Sequence, residues 1–228
     1  MGRYAELFEE FQMAVSWGLS DLTGDPLVPQ LLSGQISHEI ALYPQGDERD
    51  SQAGGDLART DLQRHLSIAK AAGLEITSLM LPGGAPPARL DALVRAGICM
   101  VVRDHVATGR RRVRHPIRTL RFGLWEMQAS FLFAEDSGRT GGLAIRRRID
   151  RAMSGGGLCH VVLGDLVSGD RQSLRSLERL LQHVARRRDD GQLQVRTISQ
   201  IAAQLPHRRS TPAAQSILRA PAPHSRAA

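Results

Sequence analysis

The stretch HEIALYPQGDE, His38 to Glu48, brings an imidazole, a phenol and a carboxylate close together in the chain: His38, Tyr43 and, four residues on, Asp47. Side chains of these types transfer protons when they are held against a reacting group. The same trio comes close to a metal site without making one. A phenol with an ordinary pKa near ~10 is a poor ligand while neutral, and a single carboxylate does not hold a cation tightly. Trp125 beside Glu126 in GLWEMQAS and His160 in GGLCHVVL are the other chemistry-capable residues. Each has a plainer alternative: a tryptophan next to a carboxylate is commonly packing, and a buried histidine can simply donate to a backbone carbonyl. His38 is expected to be structural. His65 and His183 fall in helical patterns, and His105 and His115 in an arginine-rich loop. None of these four shows the two-histidine spacing and nearby carboxylate of a zinc site.

The elements that must position these residues alternate. AELFEEFQ reads as an amphipathic helix with Leu7, Phe8 and Phe11 turned inward, and MAVSW as a short strand. DPLVPQLLSG predicts a helix with Asp25 at its N-cap, Pro26 in its first turn and Gly34 at its end. QISHEIAL is a second strand, followed by a loop through Gly46, Gly54 and Gly55. A long helix comes next, with an apolar stripe through Leu57, Leu62, Leu66, Ile68 and Ala69 and its stop at Gly73. Then come strand ITSLML, loop PGGAPP, helix ARLDALVRAG, strand ICMVV and the arginine-rich loop over about 103–121. FGLWEM, LCHVVLG and LQVRT read as further strands. RTGGLAIRRRIDRAM, RQSLRSLERLLQHVARRR (capped near Asp170) and ISQIAAQL read as helices. Strands that are apolar throughout and separated by helices predict an α/β fold, either a parallel sheet covered on both faces or a barrel. Residues 1–205 form one domain in this reading, and the Pro/Ala/Arg-rich segment 206–228 is a disordered tail.

Composition narrows the function. Aromatics make up 4% of the chain, so Leu, Ile, Val and Ala must build the core. Of the 30 basic residues only Lys70 is lysine. With abundant Ala and Gly, that skew reads as a GC-rich bacterial genome before it reads as function. Residues 1–60 carry ten acids and three arginines, a balance of −7, against +7 for the whole chain, so the remainder holds +14. The basic clusters Arg110–Arg112, Arg146–Arg148 and Arg186–Arg188 fall on a loop and two helices, with no interleaved aromatics for base stacking. A nucleic-acid partner is therefore not expected unless those clusters merge on one face. Cys99 and Cys159 sit in apolar runs and read as small buried hydrophobes kept reduced. No signal-peptide pattern opens the sequence and no run is long enough to cross a membrane, so the expected location is the cytoplasm.

Six stretches fall in a familiar order: VSWGLSDLTGDPLVPQLL, SHEIALY, the helix ending AAGLEITSLMLP, GLWEMQAS, GGLCHVVL and RRRDDGQLQVRTISQIA. Together they resemble the NodB-homology polysaccharide deacetylases, carbohydrate esterase family four, over about residues 12–205. The fold this implies is a distorted, incomplete (β/α) barrel with its site at the C-terminal strand ends. The activity it implies is metal-assisted amide hydrolysis, with a cation held by one aspartate and two histidines, an aspartate base, an arginine that orients the base, and a histidine acid. In this chain the two metal histidines fall on Tyr43 and Asp47, and the arginine on Gly83 or Gly84. The aspartate pair belongs to a strand ahead of the first helix, and no apolar strand precedes MAVSW. His160 lies in the position resembling the general acid. Trp125 and Glu126 fall where family members line the substrate pocket, and Arg103, at the start of the arginine-rich loop, is grouped with them.

Three readings follow. The first is a degenerate, N-terminally shortened deacetylase homologue with no metal and no cofactor, binding a small or sugar-like ligand or scaffolding a partner. The second is a repurposed metal-free enzyme using Tyr43, Asp47, Glu126 and His160 for proton transfer. The third is a nucleic-acid or acidic-ligand binder working through its arginines. A deacetylase whose site is completed by another chain is a further alternative. The missing first strand leaves an unpaired sheet edge, which predicts a homodimer or partner chain through the N-terminal region.

Overall fold

The computed structural model describes residues 2–44, 59–81, 90–103, 116–133, 138–164 and 171–206. Eight strands and seven helices are found there. In chain order they are α1 (Gly2–Glu10), β1 (Ser16–Leu19), α2 (Leu27–Ser33), β2 (Glu39–Leu42), α3 (Arg59–Ala71), β3 (Ser78–Leu81), α4 (Leu90–Arg95) and β4 (Met100–Arg103). There follow β5 (Ile117–Thr119), β6 (Trp125–Gln128), β7 (Phe131–Phe133), α5 (Gly138–Ser154), β8 (Val161–Leu163), α6 (Arg171–Asp189) and α7 (Ile198–Gln204).

Six strands form one sheet in the order β1-β2-β3-β4-β6-β5, parallel except for the last pair, and β7 and β8 form a parallel two-stranded sheet. The chain is thus mixed α/β with a largely parallel sheet, the class expected. Parallel neighbours cannot be joined by a tight turn, so helices cross between β1, β2, β3 and β4. Gly73 and Gly97 end α3 and α4 in the left-handed region, at φ 75° and 87°, where a Cβ would be strained. The helix starts one residue later than expected, with Pro26 rather than Asp25 at its N-cap, and the Asp25 carboxylate accepts the Leu27 N–H at 2.8 Å from just outside it.

Side chains alternate across each strand, so the register defines two faces. One face carries Leu42, Leu79, Val101 and Leu124 and packs under Leu31 of α2, Leu62 and Ala69 of α3 and Leu93 of α4. The other carries Met80, Met100, Val102, Trp125 and Met127, and Ile198, Ile201 and Ala202 of α7 cover it. A third cluster joins α1, α5 and α6 to Phe131 and Phe133 of β7 and Val161 and Leu163 of β8. Trp17 of β1 belongs to that cluster too, so apolar packing rather than a ladder links the outer strand β1 to the smaller sheet. Phe8 is buried there, with Leu7 and Phe11 packed against the same cluster, as the helical spacing predicts. Arg188 of α6 donates to the carbonyls of Phe11 and Gln12 at 2.8 and 2.7 Å and ties down the end of α1.

Two short strands lie where the sequence pattern shows none. β5 falls inside the arginine-rich segment, and β7 follows β6 almost directly. LQVRT, expected as a strand, pairs with none among the described residues. Its Leu193 and Val195 pack into the third cluster, and its Thr197 caps α7 through a reciprocal bond with Gln200. No helix among the described residues is long and apolar enough to cross a membrane.

Candidate functional site

Tyr43 leaves the C-terminal end of β2, its backbone N–H bonded to the Leu19 carbonyl at 2.9 Å. It stands on the face shared with Met80, Val102 and Met127. Gly18 of β1 makes room there: a Cβ on it would meet the Met80 Sδ at 2.6 Å and the Tyr43 Cβ at 3.2 Å. The Tyr43 side chain and the Met80 thioether thus leave from the same patch, where the resemblance leads one to look for the first metal imidazole. This donor pair does not fit the hard or borderline divalent cation of the resembled family, because thioethers favour soft ions and a protonated phenol binds weakly. Among the described residues no group of three His, Cys, Asp or Glu is placed to hold a metal. Asp47, Gly83, Gly84, Asp170, His105, His115 and Arg110–Arg112 lie outside the described residues.

His160 immediately precedes β8. Its backbone N–H bonds to Ser130 Oγ at 3.2 Å, and its own carbonyl accepts from Ser130 and Phe131. The ring Nδ1 lies 3.3 Å from the Gln128 carbonyl, which can only accept, so Nδ1 carries the proton and Nε2 is the free lone pair. In register, Gln128 pairs with Arg103, the last residue of β4, so His160 lies beside the C-terminal end of β6 while standing at the start of its own strand β8. Burial holds the His160 pKa below 6.5, with the Gln128 carbonyl opposing.

That shift has a measurable sign. The unfolded chain binds a proton at His160 near pH 6.5, whereas the folded chain resists it, so this histidine contributes stability in full above that pH and loses it as the pH falls below. His38 shifts in the same direction, again chiefly by burial. The fall in melting temperature between pH 7 and about 5.5 should therefore be shallower in His160→Asn than in the native protein. An equally steep fall would show that the imidazole is not shielded.

Trp125, Glu126 and Arg103 do not share one face. Trp125 packs into the cluster under α7, whereas Glu126, the next residue, points to the opposite side of the sheet. Glu126 is 0% exposed and receives two guanidinium groups, Arg103 Nε at 2.5 Å and Arg118 Nε from β5. Its hydrogen bond raises the Arg118 pKa. Arg118 is a partner that sequence reading passed over, because it belongs to the unforeseen strand β5.

A second buried carboxylate was also missed. Glu39, 9% exposed at the start of β2, accepts from Ser16 Oγ at 2.5 Å, from Ser78 Oγ and from the Ser199 N–H at 2.9 Å. Ser16 Oγ in turn accepts the Ile198 N–H at 2.9 Å. Three strands and the first turn of α7 thus meet on one carboxylate at the N-terminal strand ends, where a helix N-terminus favours negative charge. In parallel barrels that end serves stability rather than chemistry. His38 beside it is structural, its side chain 0% exposed. Its Nδ1 accepts the Val15 N–H at 3.3 Å, and its Nε2 faces Glu9 at 3.5 Å. Cys99 and Cys159 are free thiols, both held above their ordinary pKa by burial.

No family model matches the chain, and no curated protein matches it in sequence. Among solved structures it is similar to the crystal structure of a presumed polysaccharide deacetylase from Mycobacterium smegmatis, at 17% identity and a TM-score of 0.56, over 89% of this chain and 75% of that one. At that identity the likeness speaks to fold alone, and the chain has a polysaccharide-deacetylase-like fold.

Proposed function

We propose that the protein is a polysaccharide-deacetylase-like homologue that binds a small or sugar-like ligand, or a partner chain, at the C-terminal strand ends without hydrolysing an amide. The observation that carries this reading is the side-chain set around Tyr43. The Met80 thioether and the base of the Tyr43 side chain lie side by side over Gly18, at the position where the resembled family has one of its metal imidazoles. Such a surface suits a ring with both apolar and hydroxyl edges. Metal-free proton transfer by Tyr43, Asp47, Glu126 and His160 has weaker support. Glu126 points to the other side of its sheet, away from the Tyr43 and Met80 face.

The test is elemental analysis combined with an acetate-release assay on N-acetylated sugar oligomers, with and without added Zn²⁺. Catalytic zinc requires three protein ligands as a rule, so we expect less than about 0.1 equivalents of metal per chain after dialysis and no release above the blank. One equivalent of metal together with chelator-sensitive acetate release would sink the proposal.

A further inference from the structure

We infer that the seam between α5 and α6 is a docking surface for the sugar-phosphate backbone of duplex nucleic acid. Sequence alone leaves the arginine clusters on separate helices. In the fold, α5 packs along α6, so the two arginine-bearing helices lie side by side, with the Arg146–Arg148 turn beside Arg179. Arg146 Nη2 donates to the Arg179 carbonyl at 2.8 Å, and one turn on Asp150 receives His183 at 3.0 Å and Arg187 at 3.5 Å. The contacts ascend both helices together, so the rows run side by side. Outward from this seam stand Arg147 on α5 and Arg175, Arg179 and Arg186 on α6, all exposed. The acids nearby are few. Asp150 is already engaged, Asp189 pairs with Arg188 at 2.9 Å, and Glu178 and Asp190 are exposed.

The chemistry of the surface selects among anionic partners. Guanidinium groups bind phosphate oxygens in a two-pronged fashion that ammonium groups cannot match. Neither α5 nor α6 contains a Phe, Tyr or Trp, and the one imidazole, His183, is engaged by Asp150, so unpaired bases have little to stack on and the backbone of a duplex is the better fit. An anionic membrane is disfavoured because the outward face offers little apolar surface to insert beyond Leu143, which is 55% exposed. A second copy of the chain brings another net charge of +7 and is repelled overall. The inference does not depend on the Tyr43 surface, since the seam lies on the helices flanking the smaller sheet.

The experiment is fluorescence anisotropy of a short labelled DNA duplex with the full chain, between about 50 and 200 mM salt. The native protein should bind with a steep inverse salt dependence. The combined Arg147→Gln, Arg179→Gln and Arg186→Gln variant removes three phosphate contacts. It should lower the log–log salt slope by about 3 and weaken binding at the low-salt end by roughly 30-fold or more. A control of equal net charge, Arg64→Gln, Arg95→Gln and Arg121→Gln, alters exposed arginines away from the seam and should stay within about threefold of the native protein. Single Arg147→Gln and Arg186→Gln variants, with graded losses at unchanged melting temperature, carry the same test if the triple variant does not fold. The inference is overturned by absence of salt-dependent binding, by an equal loss in the control, or by tighter binding to vesicles rich in phosphatidylglycerol than to the duplex.

Discussion

Replacing Glu39 by alanine should lower stability by about 3–5 kcal/mol, the largest single effect expected for this protein. The carboxylate collects the Ser16 and Ser78 hydroxyls and the Ser199 N–H, while Ser16 is itself held by the Ile198 N–H. Removing it leaves buried donors with no acceptor, each costing about 1–3 kcal/mol, and frees the first turn of α7 from the strand ends. Against a total stability of about 5–15 kcal/mol for a domain, that is a large fraction. For a chain of this size each kcal/mol shifts the melting temperature by roughly 2–4 °C. Glu39→Ala should therefore melt at least about 6 °C below the native protein, and Ser78→Ala, which removes one donor, far less. Thermal denaturation followed by circular dichroism reads both. A Glu39→Ala melting temperature within about 3 °C of native would mean that α7 is held by its apolar contacts alone and the carboxylate is dispensable.

The second large effect is expected at Glu126. Glu126→Ala should cost about 2–3 kcal/mol, less than the full penalty for breaking a buried pair, because Arg118 is 55% exposed in its side chain and water replaces part of what it loses. Arg103, at 17% side-chain exposure, has less recourse to solvent and accounts for most of the cost. Arg118→Ala should cost under about 1 kcal/mol, since Glu126 keeps its ion pair with Arg103. The asymmetry is the diagnostic, and chemical denaturation with a common slope measures it. Equal losses in the two variants would mean that Arg118 is the principal partner. If Glu126→Ala left stability untouched while abolishing ligand binding, the carboxylate would belong to a pocket rather than to the outer seal of the sheet.

Much of the scaffold was legible because it rests on local rules. Apolar runs such as ICMVV and ITSLML can be buried on both faces only in a covered parallel sheet, and Gly73 and Gly97 mark helix ends by their backbone freedom. The Thr197–Gln200 capping box starts α7 where ISQIAAQL begins. Strands β5 and β7 were not legible. Each is three residues long and exists only because a neighbour offers unpaired backbone groups, a condition set by residues distant in sequence. LQVRT fails as a strand for the converse reason, having the pattern without a neighbouring edge.

The candidate site divides the same way. Residue types alone determine that the positions resembling two metal histidines hold a phenol and a carboxylate, at Tyr43 and Asp47, because ligand chemistry follows from the side chain itself. Sequence also determines that Trp125 and Glu126 cannot share a face if both lie on a strand. Only the tertiary structure decides that Met80 meets Tyr43 over Gly18, that Glu126 is closed by Arg118, and that Glu39 gathers three strands and a helix. It alone decides that the arginines of α5 and α6 share a surface. Each of these depends on which strands and helices become neighbours, and that is set by burying apolar surface across the whole chain, which no local stretch encodes by itself.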